Sequence, residues 1–109
     1  MFGLFARAPV PSISPETLQY RLAEKDAPLI IDVREPWEFQ RGHIRGALNL
    51  PLGQLAQSVD RISQERDVAL ICAHGTRSLS AHRLLSRLGF TRILNVTGGM
   101  AQWHGPVIR

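Results

Sequence analysis

The segment Asp67-Val-Ala-Leu-Ile-Cys72-Ala-His-Gly-Thr-Arg77-Ser78 combines features of a strand, a short loop and the start of a helix. Residues 68–71 are an apolar run rich in strand-forming side chains, and Cys72 follows directly. Further along, apolar residues recur at helical spacing, at Ala81, Leu84, Leu85 and Leu88. The pattern predicts a strand, a loop that holds the only cysteine, and then an amphipathic helix. In open α/β sheets, ligands bind at this end of a strand.

The position of Cys72 predicts a reactive thiol. Backbone N–H groups in the first turn of a helix have no partner within the helix, and the helix dipole is positive there. A loop curled around Cys72 would add its own amides, and Arg77 would add a cation. Because these groups favour the nucleophilic thiolate, we expect the pKa of Cys72 to lie below its usual value, although burial opposes this. We also expect the loop to open to solvent.

The rest of the chain alternates predicted strands with predicted helices. Strands are predicted at residues 12–13, 29–33, 47–50 and 92–96. Two helices are predicted to start at Ser14-Pro15-Glu16 and at Glu35-Pro36. A third is predicted from the apolar face Leu52, Leu55, Ala56, Val59 and Ile62, and a short fourth over residues 100–104. This alternation predicts an α/β domain with a parallel sheet and right-handed crossovers, in a strand order that the pattern leaves open. We expect residues 12–109 to form this single domain, and residues 1–11 are poorly patterned.

Three motifs follow one another along the chain. The central one is the loop Cys72-Ala-His-Gly-Thr-Arg77-Ser78. Before it, Ile31-Asp-Val-Arg-Glu runs on through Glu38-Phe39 to Gly42-His-Ile-Arg-Gly-Ala-Leu-Asn-Leu-Pro51, and after it comes Gly98-Gly-Met-Ala-Gln-Trp103. In this order the motifs resemble those of the rhodanese family of sulfurtransferases. The resemblance implies a rhodanese-like α/β fold, with a five-stranded, mainly parallel sheet and helices on both faces.

The resemblance also implies a chemistry and a site. Cys72 would be the catalytic residue, taking a sulfane sulfur from a small anionic donor such as thiosulfate, or from a persulfide, and passing it to a thiol or cyanide acceptor. No metal and no cofactor are implied, and a partner protein in a sulfur relay is a further implied possibility. The implied substrate-binding residues are the rest of the loop: Ala73, His74, Gly75, Thr76, Arg77 and Ser78.

Individual loop positions have separate predicted roles. Gly75 is expected to serve backbone shape, through a positive φ or close approach of a ligand. His74 and Thr76 are expected at the pocket mouth, with a solvent-facing loop residue as the alternative for His74. Ser78 would cap the helix or donate to the sulfur anion. Arg77 would bind an anion or pair with an acid, and Ala73 makes the loop less cationic than in relatives with a basic residue there.

Polar residues elsewhere are interpreted as structural. Asp32, Arg34 and Glu38 are expected to form one structural polar network near the edge of the sheet rather than an acid–base or metal site. His43 is expected to cap a turn. The aromatic residues are expected in the core or in a pocket wall, and these are Trp37, Phe39 and Trp103.

Composition narrows the class of protein. The 109 residues carry a net charge of +4, and every basic residue except Lys25 is arginine, with no dense cluster. We therefore expect no nucleic-acid partner, and no segment approaches the length of a membrane span. A single cysteine excludes an internal disulfide and suits a reducing compartment, so we expect a cytoplasmic protein. The apolar amino-terminal segment is interrupted by Arg7, and we do not expect a signal peptide.

Two alternatives remain open. Cysteine phosphatases also place a cysteine and an arginine around such a loop, but with five intervening residues, whereas four separate Cys72 from Arg77. They also usually carry a histidine before the cysteine, where this chain has Ile71. The second alternative is a non-enzymatic rhodanese-like domain, acting as a sulfur-relay carrier or as an interaction module.

Overall fold

A computed structural model describes residues 10–109, and the expectations for residues 1–9 lie outside the described residues. Within this range the chain forms five strands, three α-helices and two 3₁₀ helices. The strands are β1 (Ser12–Ile13), β2 (Leu29–Asp32), β3 (Leu48–Asn49), β4 (Val68–Ile71) and β5 (Ile93–Val96). The helices are α1 (Pro15–Arg21), α2 (Pro36–Arg41), α3 (Thr76–Arg87), a longer 3₁₀ helix (Leu52–Arg61) and a shorter one (Gly99–Gln102).

The five strands form one parallel sheet in the order β1-β5-β4-β2-β3. The central strand, β4, pairs with β2 from Leu29↔Val68 to Asp32↔Ile71, and with β5 on its other side. Because all strands run in the same direction, their carboxyl ends share one edge of the sheet. Cys72 follows the central strand directly at this edge, and the predicted α/β class is confirmed.

Side chains of β4 alternate between two cores, one on each face of the sheet. Val68 and Leu70 pack in the core that includes Leu85 of α3. Ala69 and Ile71 pack in the opposite core, whose other members include Leu18 of α1 and Trp103. Helices therefore cover both faces, as predicted. Both faces of β4 are buried, which explains its uninterrupted apolar sequence.

Helix α1 starts as its sequence predicts. The Ser14 hydroxyl accepts a hydrogen bond from the backbone N–H of Thr17 at 3.1 Å, and Pro15 occupies the first turn. Proline has no N–H to leave unpaired there, and its fixed φ suits a helix start.

Two helical stretches differ from prediction. Leu88 shares the helical spacing of the apolar residues of α3, but it is 48% exposed. The helix ends at Arg87, and Gly89, with φ +96°, turns the chain away. The stretch 52–61 is a 3₁₀ helix with three residues per turn. This tighter winding moves Ala56 off the apolar face, so it is exposed while Leu55 is buried.

Within residues 10–109, no helix is both long and apolar enough to cross a bilayer.

Candidate active site

The loop 72–75 joins the central strand to α3 and curls around the sulfur of Cys72. The backbone N–H of Gly75 donates to Sγ at 3.0 Å, and that of Ser78 at 3.3 Å. The Ser78 hydroxyl oxygen lies 3.5 Å from Sγ. Gly75 has φ +99°, a left-handed conformation that favours glycine and brings its N–H round to the sulfur. The loop thus forms a cradle of donors suited to a negative charge on sulfur.

Opposing effects act on the pKa of Cys72. Burial raises it, because the residue is only 1% exposed and the charged form is poorly solvated. The Ser78 hydroxyl and the backbone N–H groups of Ser78, Gly75 and His74 lower it by more, since they donate to the thiolate. The net shift is downward, in the direction expected from the sequence. The expectation of a solvent-open loop holds for the exposed rim, at His74 and Thr76, and not for Cys72 itself.

The side chain of Arg77 forms an ion pair with Glu38. Its guanidinium donates to both carboxylate oxygens of Glu38, at 2.6 and 2.9 Å. The Arg77 hydrogen bond lowers the pKa of Glu38 to about 2, and the backbone N–H of Glu35 adds to the effect. Arg77 is not among the main causes of the lowered pKa of Cys72, although the two charges interact and the Cys72 thiolate helps to raise the pKa of Arg77. Of the two predicted roles, the structure shows the acid pair.

The segment after β5 supports the loop from behind. The backbone N–H of Met100 donates to the Cys72 carbonyl at 2.8 Å, and that of Ala101 to the Ala73 carbonyl at 2.9 Å. A Cβ on Gly99 would lie 2.4 Å from the Cys72 carbonyl oxygen, so only glycine permits this approach. The motif at residues 98–103 therefore fixes the backbone of the cysteine loop.

The sequence profile of the rhodanese-like domain matches residues 14–106. The chain belongs to the rhodanese-like family. A sulfurtransferase from Allochromatium vinosum is 37% identical over 102 residues, which are 91% of this chain and 95% of that protein. The putative sulfur carrier protein YrkF of Bacillus subtilis is 32% identical over 96 residues, 88% of this chain. The rhodanese-like chain spans 52% of YrkF, about half of that protein's length.

Solved structures support the same family. A rhodanese-related protein from Thermoplasma volcanium superimposes with a TM-score of 0.82 and 35% sequence identity. The match covers 90% of this chain and 97% of the other. The rhodanese-like fold, with its five-stranded parallel sheet, is confirmed.

Ser78 does not cap α3, contrary to one of its two predicted roles. The helix begins at Thr76, with Gly75 in the capping position, so Ser78 lies inside the first turn. Its hydroxyl oxygen lies 3.1 Å from the Gly75 carbonyl oxygen and also contacts Oδ1 of Asn95, and its single hydrogen can donate to either. The side chain is fully buried beside the sulfur. This placement favours its other predicted role, as a donor to the sulfur anion.

The predicted network of Asp32, Arg34 and Glu38 divides into two pairs. Arg34 forks onto the Asp32 carboxylate, with its closest contact at 2.8 Å, and both residues are buried. It also donates to the Gly42 carbonyl at 2.8 Å, which ties β2 to the loop after α2. Glu38, on α2, accepts hydrogen bonds from Arg77 and from the backbone N–H of Glu35. Its place in the hydrogen-bonded network with Asp32 and Arg34 was therefore wrong, although the charge of Arg34 also lowers the pKa of Glu38.

The histidine and aromatic predictions have mixed outcomes. The Nδ1 atom of His43 lies 2.8 Å from the Phe39 carbonyl at the end of α2, so His43 caps that turn as predicted. The His43 ring also stacks on Phe39, with ring centroids 3.6 Å apart. Trp103 is buried, but Trp37 is 60% exposed and is not a core residue. The Arg41 guanidinium lies over the Trp37 ring instead, with its Cζ atom 5.5 Å from the ring centroid.

Asn95 is the site residue that sequence reasoning missed. It lies on β5 and is 7% exposed, and its carboxamide oxygen contacts the Ser78 hydroxyl. The available signal was an amide in the middle of the apolar strand Ile93–Val96, since a buried polar group needs a partner. Among residues 10–109, no three His, Cys, Asp or Glu side chains are grouped so that they could hold a metal ion.

Proposed function

We propose that the protein is a sulfurtransferase in which Cys72 carries the transferred sulfur. The Cys72 thiolate attacks the sulfane sulfur of a donor such as thiosulfate or a persulfide. The donor's S–S bond breaks, sulfite or a thiolate leaves, and Cys72 becomes a persulfide. A thiol or cyanide then attacks the outer sulfur, takes it away, and releases the Cys72 thiolate.

The observation that carries this proposal is the set of donors converging on Sγ of Cys72. The N–H groups of Gly75 and Ser78, at 3.0 and 3.3 Å, favour negative charge there before any substrate arrives. The same loop amides would stabilise the charge on the outer sulfur of a persulfide. The loop rim at His74 and Thr76 is exposed, and there a donor or acceptor would approach.

Mass spectrometry of the intact protein tests the proposal. Incubation with thiosulfate should add one sulfur atom to the native chain, and cyanide should then remove it as thiocyanate. Cys72→Ser is the control, because it keeps a small polar side chain and removes the sulfur. A native protein that gains no sulfur from thiosulfate or from a low-molecular-weight persulfide would overturn the proposal.

A sulfur-relay carrier is the second candidate function. The similarity to the putative sulfur carrier YrkF supports it, as does the exposed rim of the loop. A carrier would form the same persulfide but transfer it to a protein thiol much faster than to cyanide. Stopped-flow transfer to glutathione, cyanide and a cysteine-containing sulfur-carrier protein would separate the two functions.

The phosphatase alternative is less well supported by the loop. Four residues separate Cys72 from Arg77, one fewer than in the cysteine phosphatases, and a shorter loop makes a smaller cradle for an anion. An aryl phosphate assay beside the thiosulfate assay tests it directly. We propose a reducing compartment, the cytoplasm, as the place of action, because the chemistry needs Cys72 as a free thiol.

A further inference from the structure

The Ser78 hydroxyl contacts three polar atoms but has only one hydrogen to donate. Its oxygen lies 3.5 Å from Sγ of Cys72 and 3.1 Å from the Gly75 carbonyl, and it also contacts Oδ1 of Asn95. A serine hydroxyl has a single donor hydrogen and two acceptor lone pairs. The direction in which that hydrogen points therefore decides whether Ser78 can donate to the sulfur.

Asn95 is placed to set that direction. Its side chain extends from β5 toward α3, on the same face of the sheet as the buried Ile93. Among residues 10–109, Ser78 is the only hydrogen-bond partner of the Asn95 carboxamide. A carboxamide can present an acceptor oxygen or a donor NH₂ group to the same neighbour, by half a turn about its terminal bond. A leucine would fill this apolar face without the cost of burying an amide.

The two protonation states of Cys72 require opposite arrangements. In the thiol form, the S–H group donates to Ser78, and the Ser78 hydroxyl donates to Oδ1 of Asn95. When the thiol proton leaves to solvent, the sulfur becomes an acceptor and the Ser78 hydrogen can turn to it. The Ser78 oxygen then needs a donor, which the NH₂ group of Asn95 supplies after the amide turns.

We propose that Asn95 is a positioning residue for Cys72: its carboxamide orients the Ser78 hydroxyl, accepting from it beside the thiol and donating to it beside the thiolate. This inference rests on the proposed function in so far as Cys72 is the reacting group. The charged side chains on the elements around the loop include Arg77 from α3 and Glu38 from α2, which form an ion pair, and the titratable His74 lies in the loop itself. The charges of Glu35 and Arg34 act on this pair. Within residues 10–109, neither Arg77 nor Glu38 hydrogen-bonds to Ser78 or Asn95.

A double-mutant cycle on the pH dependence of alkylation tests the inference. The rate of iodoacetamide reaction with the sole cysteine reports the thiolate fraction and requires no sulfur transfer. We expect Asn95→Leu to slow alkylation at neutral pH about threefold and to move the midpoint upward, because a hydrogen bond to a charged group is lost through Ser78. In a Ser78→Ala background, the same change should have no further effect. Ile93→Val, on the same strand and face, should leave the midpoint unchanged.

The outcomes separate the inference from the proposed function. An unchanged midpoint in Asn95→Leu would overturn the inference, and so would a shift that persists in full without the Ser78 hydroxyl. Asn95→Ala gives the same comparison if the leucine variant does not fold. Failure of the native protein to gain sulfur from any donor would reject the sulfurtransferase function while leaving the coupling of Asn95, Ser78 and Cys72 measurable.

Discussion

Glu38 and Arg77 form a two-pronged ion pair, at 2.6 and 2.9 Å, that joins α2 to the first turn of the helix after the cysteine loop. The two residues are far apart in sequence, and the contact exists only because β2 and β4 are neighbours in the sheet. The pair fixes the orientation of Arg77 and offsets its charge. The orientation of Arg77, next to the cysteine loop, therefore depends on the ionised state of the Glu38 carboxylate.

Acid should weaken the protein through Glu38. Its pKa is about 2 in the folded state against 4.5 ordinarily, so its contribution is complete above pH 4.5 and lost as pH falls toward 2. We expect Glu38→Gln to lower the free energy of unfolding by about 1 kcal/mol at pH 6, since the pair is partly exposed, and to change it little near pH 2. Urea unfolding across this range measures the effect, and Glu24→Gln, on an exposed turn, is the control. Parallel pH profiles for native and Glu38→Gln would contradict the assignment.

Arg77 should matter less than Ser78 for the ionisation of Cys72. Glu38 offsets the guanidinium charge, whereas Ser78 supplies both a hydroxyl and an N–H to the sulfur. We expect Arg77→Ala to change the alkylation rate at neutral pH about twofold at most, and Ser78→Ala to slow it about tenfold, as for a hydrogen bond to a charged group. Ser80→Ala, an exposed position on the same helix, should have no effect. A larger effect of Arg77→Ala would mean that its charge reaches the thiolate.

Adding one methyl group at Gly99 should displace the loop. Gly99 and Gly46 both have positive φ, +62° and +85°, so alanine costs about 1 kcal/mol at either position. Only at Gly99 does the new Cβ meet the Cys72 carbonyl, at 2.4 Å, while at Gly46 it meets nothing within 4 Å. We expect Gly99→Ala to lower the free energy of unfolding by about 2 kcal/mol more than Gly46→Ala, and to impair sulfur loading. Equal losses in thermal unfolding would show that the contact relaxes freely.

Two leucines near the end of α3 should respond differently to truncation. Leu85 is fully buried in the core below the cysteine loop, and Leu88 is 48% exposed. We expect Leu85→Ala to lower the free energy of unfolding by about 3 kcal/mol and Leu88→Ala by less than about 1 kcal/mol. Chemical denaturation of both variants checks this. Similar losses would place Leu88 in the core, as the helical spacing alone suggests.

The features that could be predicted from sequence are those set by neighbours in the chain. Cys72 could be placed at the end of a strand because the apolar run Val68–Ile71 directly precedes it. The left-handed backbone at position 75 could be expected because that residue is a glycine. Class and sheet direction followed from the alternation of strands and helices. The exact start of α3 was harder, because Ser78 is as good a capping residue by type as any. In the structure α3 begins at Thr76, so Ser78 lies inside the first turn and its N–H contacts the sulfur.

The features that could not be predicted depend on which elements become neighbours. Glu38 was assigned to Asp32 and Arg34 because it is close to them in sequence, yet the sheet brings α2 beside the cysteine loop instead. Asn95 becomes a site residue only because β5 lies next to β4. Trp37 was expected in the core or in a pocket wall, but it is exposed on a short helix in which none of the six residues is buried.

The edge of the sheet has a consequence for how the chain is made. Strand β1 has one neighbour, β5, with Ser12 aligned to Asn95 and the Pro11 carbonyl accepting from the Asn95 N–H at 2.8 Å. On the ribosome, β1 is made before β2, β3 and β4, and its partner β5 is made after them. Because this contact is non-local, its loop-closure cost is larger than that of a contact between consecutive strands, and we expect it to form late in folding. Asn95 therefore draws its backbone support from two segments that lie far apart along the chain, β4 on one side and Pro11 beside β1 on the other.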